Sequence, residues 1–134
     1  EKAPAAICRK IAEAKSGSSI EIWGDGEQTR SFLYIEDCLD AVLELIKSPH
    51  PGPFNIGSDY MVSINNLVDI VADIAGKSIT KVHIEGPTGV RGRVSDNALI
   101  NSMLGVEYKY TLRNGLEKTY DWIERQVISN KSDS

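Results

Sequence analysis

Trp23-Gly24-Asp25-Gly26-Glu27-Gln28-Thr29-Arg30-Ser31-Phe32-Leu33-Tyr34-Ile35-Glu36-Asp37 is the stretch from which the rest of the chain can be read. Asp25-Gly26 suits the positive φ angles of a tight turn. It stands between Ile20-Glu21-Ile22-Trp23 and Arg30-Ser31-Phe32-Leu33-Tyr34-Ile35, two short runs that read as the paired strands of a hairpin. Beyond Ile35, Glu36 and Asp37 fall in the first turn of a helix, where unpaired N–H groups and the helix dipole favour negative charge. Leu39, Val42, Leu43 and Ile46 supply that helix with an apolar stripe. The unit is strand, turn, strand, helix, and it presents an arginine from its second strand.

Working outward, Pro4 suits the first turn of a helix that runs to about Ala14 and is ended by Ser16-Gly17-Ser18-Ser19. Pro53-Phe54-Asn55-Ile56 reads as a short strand. Ser63 then caps a helix bearing Ile64, Leu67, Val71 and Ile74, which stops near Gly76. Lys81-Val82-His83-Ile84-Glu85 alternates like a strand. Asp96 caps a short helix with Leu99, Ile100 and Met103 that leaves at Gly105, and Thr111 begins a last helix. In that helix Leu112, Leu116, Tyr120, Ile123 and Val127 form one apolar stripe, while Glu117, Lys118, Glu124 and Arg125 face water. The expected architecture is α/β, one lobe over residues 1–129, with a frayed tail at 130–134.

Several pieces recur in the order found in a known family. They are Glu1-Lys2-Ala3-Pro4-Ala5-Ala6 with Cys8-Arg9-Lys10, Trp23-Gly24-Asp25-Gly26 with Gln28-Thr29-Arg30-Ser31-Phe32, Asn55-Ile56-Gly57-Ser58-Asp59, and Gly86-Pro87 with Gly89-Val90-Arg91-Gly92-Arg93 and Ser95-Asp96-Asn97. With them the chain resembles the extended short-chain dehydrogenase/reductase family of nucleotide-sugar epimerases and dehydratases. The resemblance implies the small C-terminal substrate-binding lobe of such an enzyme, without its Rossmann lobe. It also implies a nucleoside diphosphate-sugar as ligand, GDP-mannose in the branch whose motifs agree best. The complete enzyme would bind NAD in the other lobe and form a homodimer.

The same resemblance assigns site residues. The planar guanidinium of arginine makes paired, charge-assisted hydrogen bonds to diphosphate oxygens. Arg30 from the strand and Arg91 or Arg93 from the late loop would clamp that group, and Lys2 matches a substrate-binding lysine before the first helix. Ile20, Glu21 and Ile22 match a segment whose backbone reads the nucleotide base, with Trp23 packing beside it. Read without the resemblance, Arg30 is a strand-edge ion pair, Arg91 and Arg93 belong to a solvated loop, and Lys2 is a surface charge.

No catalytic residue is expected within this chain. Tyr34, Tyr60, Tyr108, Tyr110 and Tyr120 all lack a lysine four positions later, so the family's Tyr-x-x-x-Lys is missing. Gly24-Asp25-Gly26-Glu27-Gln28-Thr29 begins like a dinucleotide fingerprint but lacks the third glycine and sits in a turn. In the family, transient oxidation of the sugar at C4 acidifies the neighbouring C–H bonds, and the hydride carrier, acid and base lie before the segment that corresponds to residue 1. The lobe is therefore expected to orient substrate and to be inactive alone. A 4-epimerase, dehydratase or decarboxylase shares the same diphosphate requirement, and a noncatalytic binding module could use the same fold.

Composition agrees with a soluble enzyme fragment. The 134 residues are 41% hydrophobic and 25% charged, begin at Glu1, and hold no apolar run near the roughly 20 residues of a membrane helix. The net charge of -4 disfavours an extended nucleic-acid surface. Cys8 and Cys38 read as packing thiols of a reduced, cytoplasmic protein; His50 in a surface loop and His83 at a half-buried strand position lack a set of metal ligands around them.

Overall fold

A computed structural model describes residues 2–132. Its elements run in the order α1 (Ala3–Glu13), β1 (Ser19–Trp23), β2 (Thr29–Ser31), α2 (Ile35–Lys47), β3 (Met61–Ser63), α3 (Ile64–Ala75), β4 (Thr80–Ile84), α4 (Ala98–Leu104) and α5 (Leu112–Ser132).

Local signals place most helix ends. Pro4 sits in the first turn of α1. The Ser63 side chain accepts from Asn66 N–H, and Gly76 leaves α3 in the left-handed region at φ 64°. Thr111 Oγ1 accepts from Asn114 N–H ahead of α5. Asp96 accepts from Ala98 N–H, although the cap position itself belongs to Asn97. The C-terminus of α1 is closed from a distance: Lys77 Nζ donates to the carbonyls of Ile11, Ala12 and Ala14 at 2.7, 3.0 and 2.9 Å.

The core lies where α1, α3 and α5 pack on one face of β1. Cys8, Ile11, Leu67, Val68 and Val71 are at most 1% exposed, with Ile20, Ile22, Leu116, Tyr120 and Ile123 around them. Helix α5 continues through Ser132, three residues into the segment expected to fray. Asn130 and Lys131 contain no helix breaker, and Ser132 Oγ donates back to the Ile128 carbonyl. Asp133 and Ser134 lie outside the described residues.

The strands do not pair as a hairpin. β1 runs parallel to β4, from Ser19 opposite Thr80 to Trp23 opposite Ile84, whereas β2 runs antiparallel to β3, from Thr29 opposite Ser63 to Ser31 opposite Met61. The reason is the loop between β1 and β2. Gly24 and Gly26 both have φ near +74°, and Gln28 folds inward, donating from Nε2 to the Trp23 carbonyl. The chain thereby changes sheets in place of turning back on itself.

Two further expectations are corrected. Pro53–Ile56 forms no strand; Asn55 instead ties that segment to the Asp96 carbonyl through Nδ2. His83 on β4 is exposed, not half-buried, and its Nε2 lies 2.8 Å from Asn65 Oδ1.

Candidate diphosphate site

The turn between β1 and β2 is held from two sides. Toward α3, Ile64 N–H donates to the Gln28 carbonyl, and Asn65 N–H donates to the Gly26 carbonyl at 2.9 Å. Asn65 Nδ2 adds a bond to the Asp25 carbonyl. A Cβ on Gly26 would collide with the Asn65 side chain and one on Gly24 with Thr88, so both glycines are required by close approach as well as by positive φ. Toward the late loop, Asp25 accepts from Arg91 Nη1 with both oxygens, at 3.0 and 2.8 Å.

The late loop then runs along the free side of β2. Thr29 N–H donates to the Arg91 carbonyl at 2.8 Å, and a Cβ on Gly92 would press on Thr29 Oγ1. Arg30 points into this junction: Nη1 donates to its neighbour's carbonyl on Thr29, and Nη2 reaches the Thr88 carbonyl at 2.9 Å, 58 residues away. Arg30 and the Arg91–Arg93 loop are thus brought together. The two late arginines differ. Arg91 is paired with Asp25, while Arg93 is exposed and makes no side-chain hydrogen bond or ion pair among the described residues.

The Asp25 carboxyl is held below the usual carboxylate range, first by the hydrogen bond from Glu27 N–H and then by that from Arg91. It stays ionised, and its pair with Arg91 stays formed, to lower pH than for a free aspartate.

The other expected site residues are placed differently. Lys2 precedes α1 and is exposed. Ile20 and Ile22 turn their side chains into the core at 6% and 5% exposure, so only their backbone could meet a ligand. Glu21 points outward, and its carbonyl accepts from Lys10 Nζ. Trp23 is 53% exposed, and its ring lies against Gly86, where a Cβ would not fit. The ring therefore packs on the late loop, not within the core.

Asp25 and Thr88 escaped the sequence reading. In the sequence Asp25 reads as a turn former, and nothing local links it to Arg91, 66 residues away. An aromatic cavity also went unforeseen. It measures about 720 Å³ and is walled by Phe32, Tyr34, Tyr60, Tyr108 and Tyr110, four of the five tyrosines, drawn from distant parts of the chain. It reaches Ser31 and Pro4, the sequence neighbours of Arg30 and Ala3.

With this geometry in place, residues 1–57 match the NAD dependent epimerase/dehydratase family. Beyond that segment the similarity extends along nearly the whole chain. The chain is 48% identical over 132 residues to GDP-mannose 3,5-epimerase 1 of Oryza sativa subsp. indica, and equally to GDP-mannose 3,5-epimerase of Arabidopsis thaliana. In each case 98% of the chain is matched, and the chain spans about a third, 34%, of the relative's length. Among solved structures it superposes on UDP-glucose 4-epimerase of Thermotoga maritima with UDP-glucose, TM-score 0.84 at 25% identity. It does likewise on UDP-glucuronic acid 4-epimerase of Bacillus cereus with UDP-glucuronic acid and NAD, TM-score 0.83 at 28% identity. Both alignments cover 94% of this chain and 40% of the other. The fold is that of the C-terminal lobe of an extended short-chain dehydrogenase/reductase.

The glycine-rich turn does not have the form of a dinucleotide fingerprint. The turn at Gly24–Gly26 leads into β2 and not into a helix, and its glycines are filled by Thr88 and Asn65. Among the described residues no helix is long and apolar enough to cross a membrane, and no His, Cys, Asp or Glu cluster could hold a metal ion.

Proposed function

We propose that this chain is the substrate-orienting part of an NAD-dependent nucleotide-sugar epimerase and that it grips the diphosphate of a GDP-sugar, GDP-mannose above all. The observation that supports this reading is the convergence of Arg30 with the 88–93 loop. A diphosphate needs at least two directed cationic donors on opposite sides, and guanidinium groups carried on a strand and on a facing loop meet that need. Arg30 is held by the carbonyls of Thr29 and Thr88; Arg93 is the uncommitted partner. Lys2 and the free edge of β1, at Ile20, Glu21 and Ile22, are the places for the sugar-proximal charge and the base edge. The preference for guanine and mannose rests on the similarity to the two plant enzymes.

NAD supplies hydride transfer when bound by the rest of such an enzyme. The residues here bind and orient: they hold the sugar in place through its diphosphate. The 134-residue chain is accordingly expected to bind without turning substrate over. A full-length dimer and a cytoplasmic location complete the proposal.

Calorimetric titration of the full-length protein with GDP-mannose, UDP-glucose and GDP tests it. Saturable binding with guanine preference, weakened at least tenfold by both Arg30→Ala and Arg93→Ala, is expected. Equal affinity for UDP-glucose would move the reading to a 4-epimerase, and indifference to both substitutions would end it.

A further inference from the structure

We propose that Asp25 is the positioning residue of the diphosphate site: by holding Arg91 it fixes the late loop against β2 and leaves Arg93 as the guanidinium free to meet the ligand. This inference rests on the diphosphate reading given above. Asp25 occupies a junction. Its backbone is tied to the N-terminus of α3 through Asn65, so it moves with the core. Its side chain is tied to the loop through Arg91. The remaining links between loop and strand end on loop carbonyls, from Thr29 N–H to that of Arg91 and from Arg30 Nη2 to that of Thr88. Asp25 is thus the one acidic side chain that bonds to a late-loop arginine among the described residues.

The pair also determines which arginine is available. Two adjacent free guanidinium groups would compete for one diphosphate in different loop conformations. With Arg91 occupied, only Arg93 is offered, and the loop carries a single register. Asp25 touches no ligand in this scheme; it acts through Arg91.

The test compares three variants of the full-length protein, with GDP as the probe, by calorimetry across a salt series. Asp25→Asn keeps the side-chain acceptor for Glu27 N–H but removes the charge. An exposed pair is weak, so the expected loss of GDP affinity is about threefold to fivefold, with no change in thermal midpoint. The charge exchange Asp25→Arg with Arg91→Asp restores affinity to within twofold, which a purely local turn role would not do. Unchanged or tighter GDP binding by Asp25→Asn, or no rescue by the exchange, overturns the proposal. Arg93→Ala separates the two levels: if it leaves GDP affinity intact, the diphosphate reading itself has failed, whereas a large loss with Asp25→Asn silent removes only the role given to Asp25.

Discussion

Helix α3 buries Ile64, Leu67, Val68 and Val71 between α1 and α5, whereas α2 turns Ile35, Leu39, Leu43 and Ile46 outward at 51–72% exposure. Both helices have the apolar spacing of a core-facing element. The stripe legible on α2 does not face this lobe's core. Only its first turns are anchored, with Asp37 and Ala41 buried. Periodicity makes a helix amphipathic; it does not name the surface that covers it. Since the relatives are about three times as long as this chain, the proposed occupant of the α2 face is the remaining part of such an enzyme.

Substitutions in the two helices should separate sharply. Leu67 is 0% exposed, so Leu67→Ala should cost about 2–5 kcal/mol in denaturant unfolding, the range for deleting a buried leucine. Leu43→Ala, the same chemistry at 51% exposure, should change the unfolding midpoint little. Equal costs would mean that α2 is packed on this lobe after all.

The anchored end of α2 offers a sharper test. Asp37 is 2% exposed and accepts from the N–H groups of Lys109 and Tyr110 at 2.9 and 3.0 Å. Asp37→Ala strands two donors, at a cost of about 2–3 kcal/mol. The loosening should appear as faster amide exchange at residues 109–110 and through α2, with α3 protected as before. Uniform loss of protection would show that α2 and the core unfold as one unit.

What was legible in the chain follows the same division. Ser63, Gly76, Gly105 and Pro4 act on their own neighbours, so helix ends could be read from them. Strand partners could not, because β1 meets β4 some sixty residues later and nothing local to Asp25-Gly26 reveals that Gln28 folds inward. For the site, the arginine segments were recognisable only through the family resemblance. The division between Arg91 and Arg93 depends on where Asp25 stands in space, which no spacing encodes.

The cysteines carry the comparison to pH. Cys8 is fully buried in the core, and desolvation pushes its thiol from 9.0 up to about 11; Cys38 on α2 is half-buried. Below pH 9 both folded and unfolded thiols are protonated, and the native state is fully favoured. Between pH 9 and 11 the unfolded chain releases a proton that the native chain keeps, so stability falls as pH rises, by at most about 2 kcal/mol from this group. Unfolding midpoints across that window should show the decline and Cys8→Ala should flatten it. Iodoacetamide at pH 8 should label Cys38 before Cys8; the reverse order would place Cys8 outside the core.

The smallest effect on folding belongs to the α2 face, and it has a different readout. Leu39→Ser with Leu43→Ser removes two half-exposed leucines from a contiguous apolar stripe. Unfolding free energy of the 134-residue chain should shift by less than about 0.5 kcal/mol, because little apolar area of this lobe is uncovered. Sedimentation velocity should instead show the unsubstituted chain self-associating with rising concentration and the double variant remaining monomeric. In the full-length protein the same pair should be costly, since the face is then an internal interface and each serine hydroxyl would be buried without a partner. A double variant that destabilises the short chain and leaves the full-length protein untouched would invert the comparison between α2 and α3 and assign the stripe to this lobe's own core.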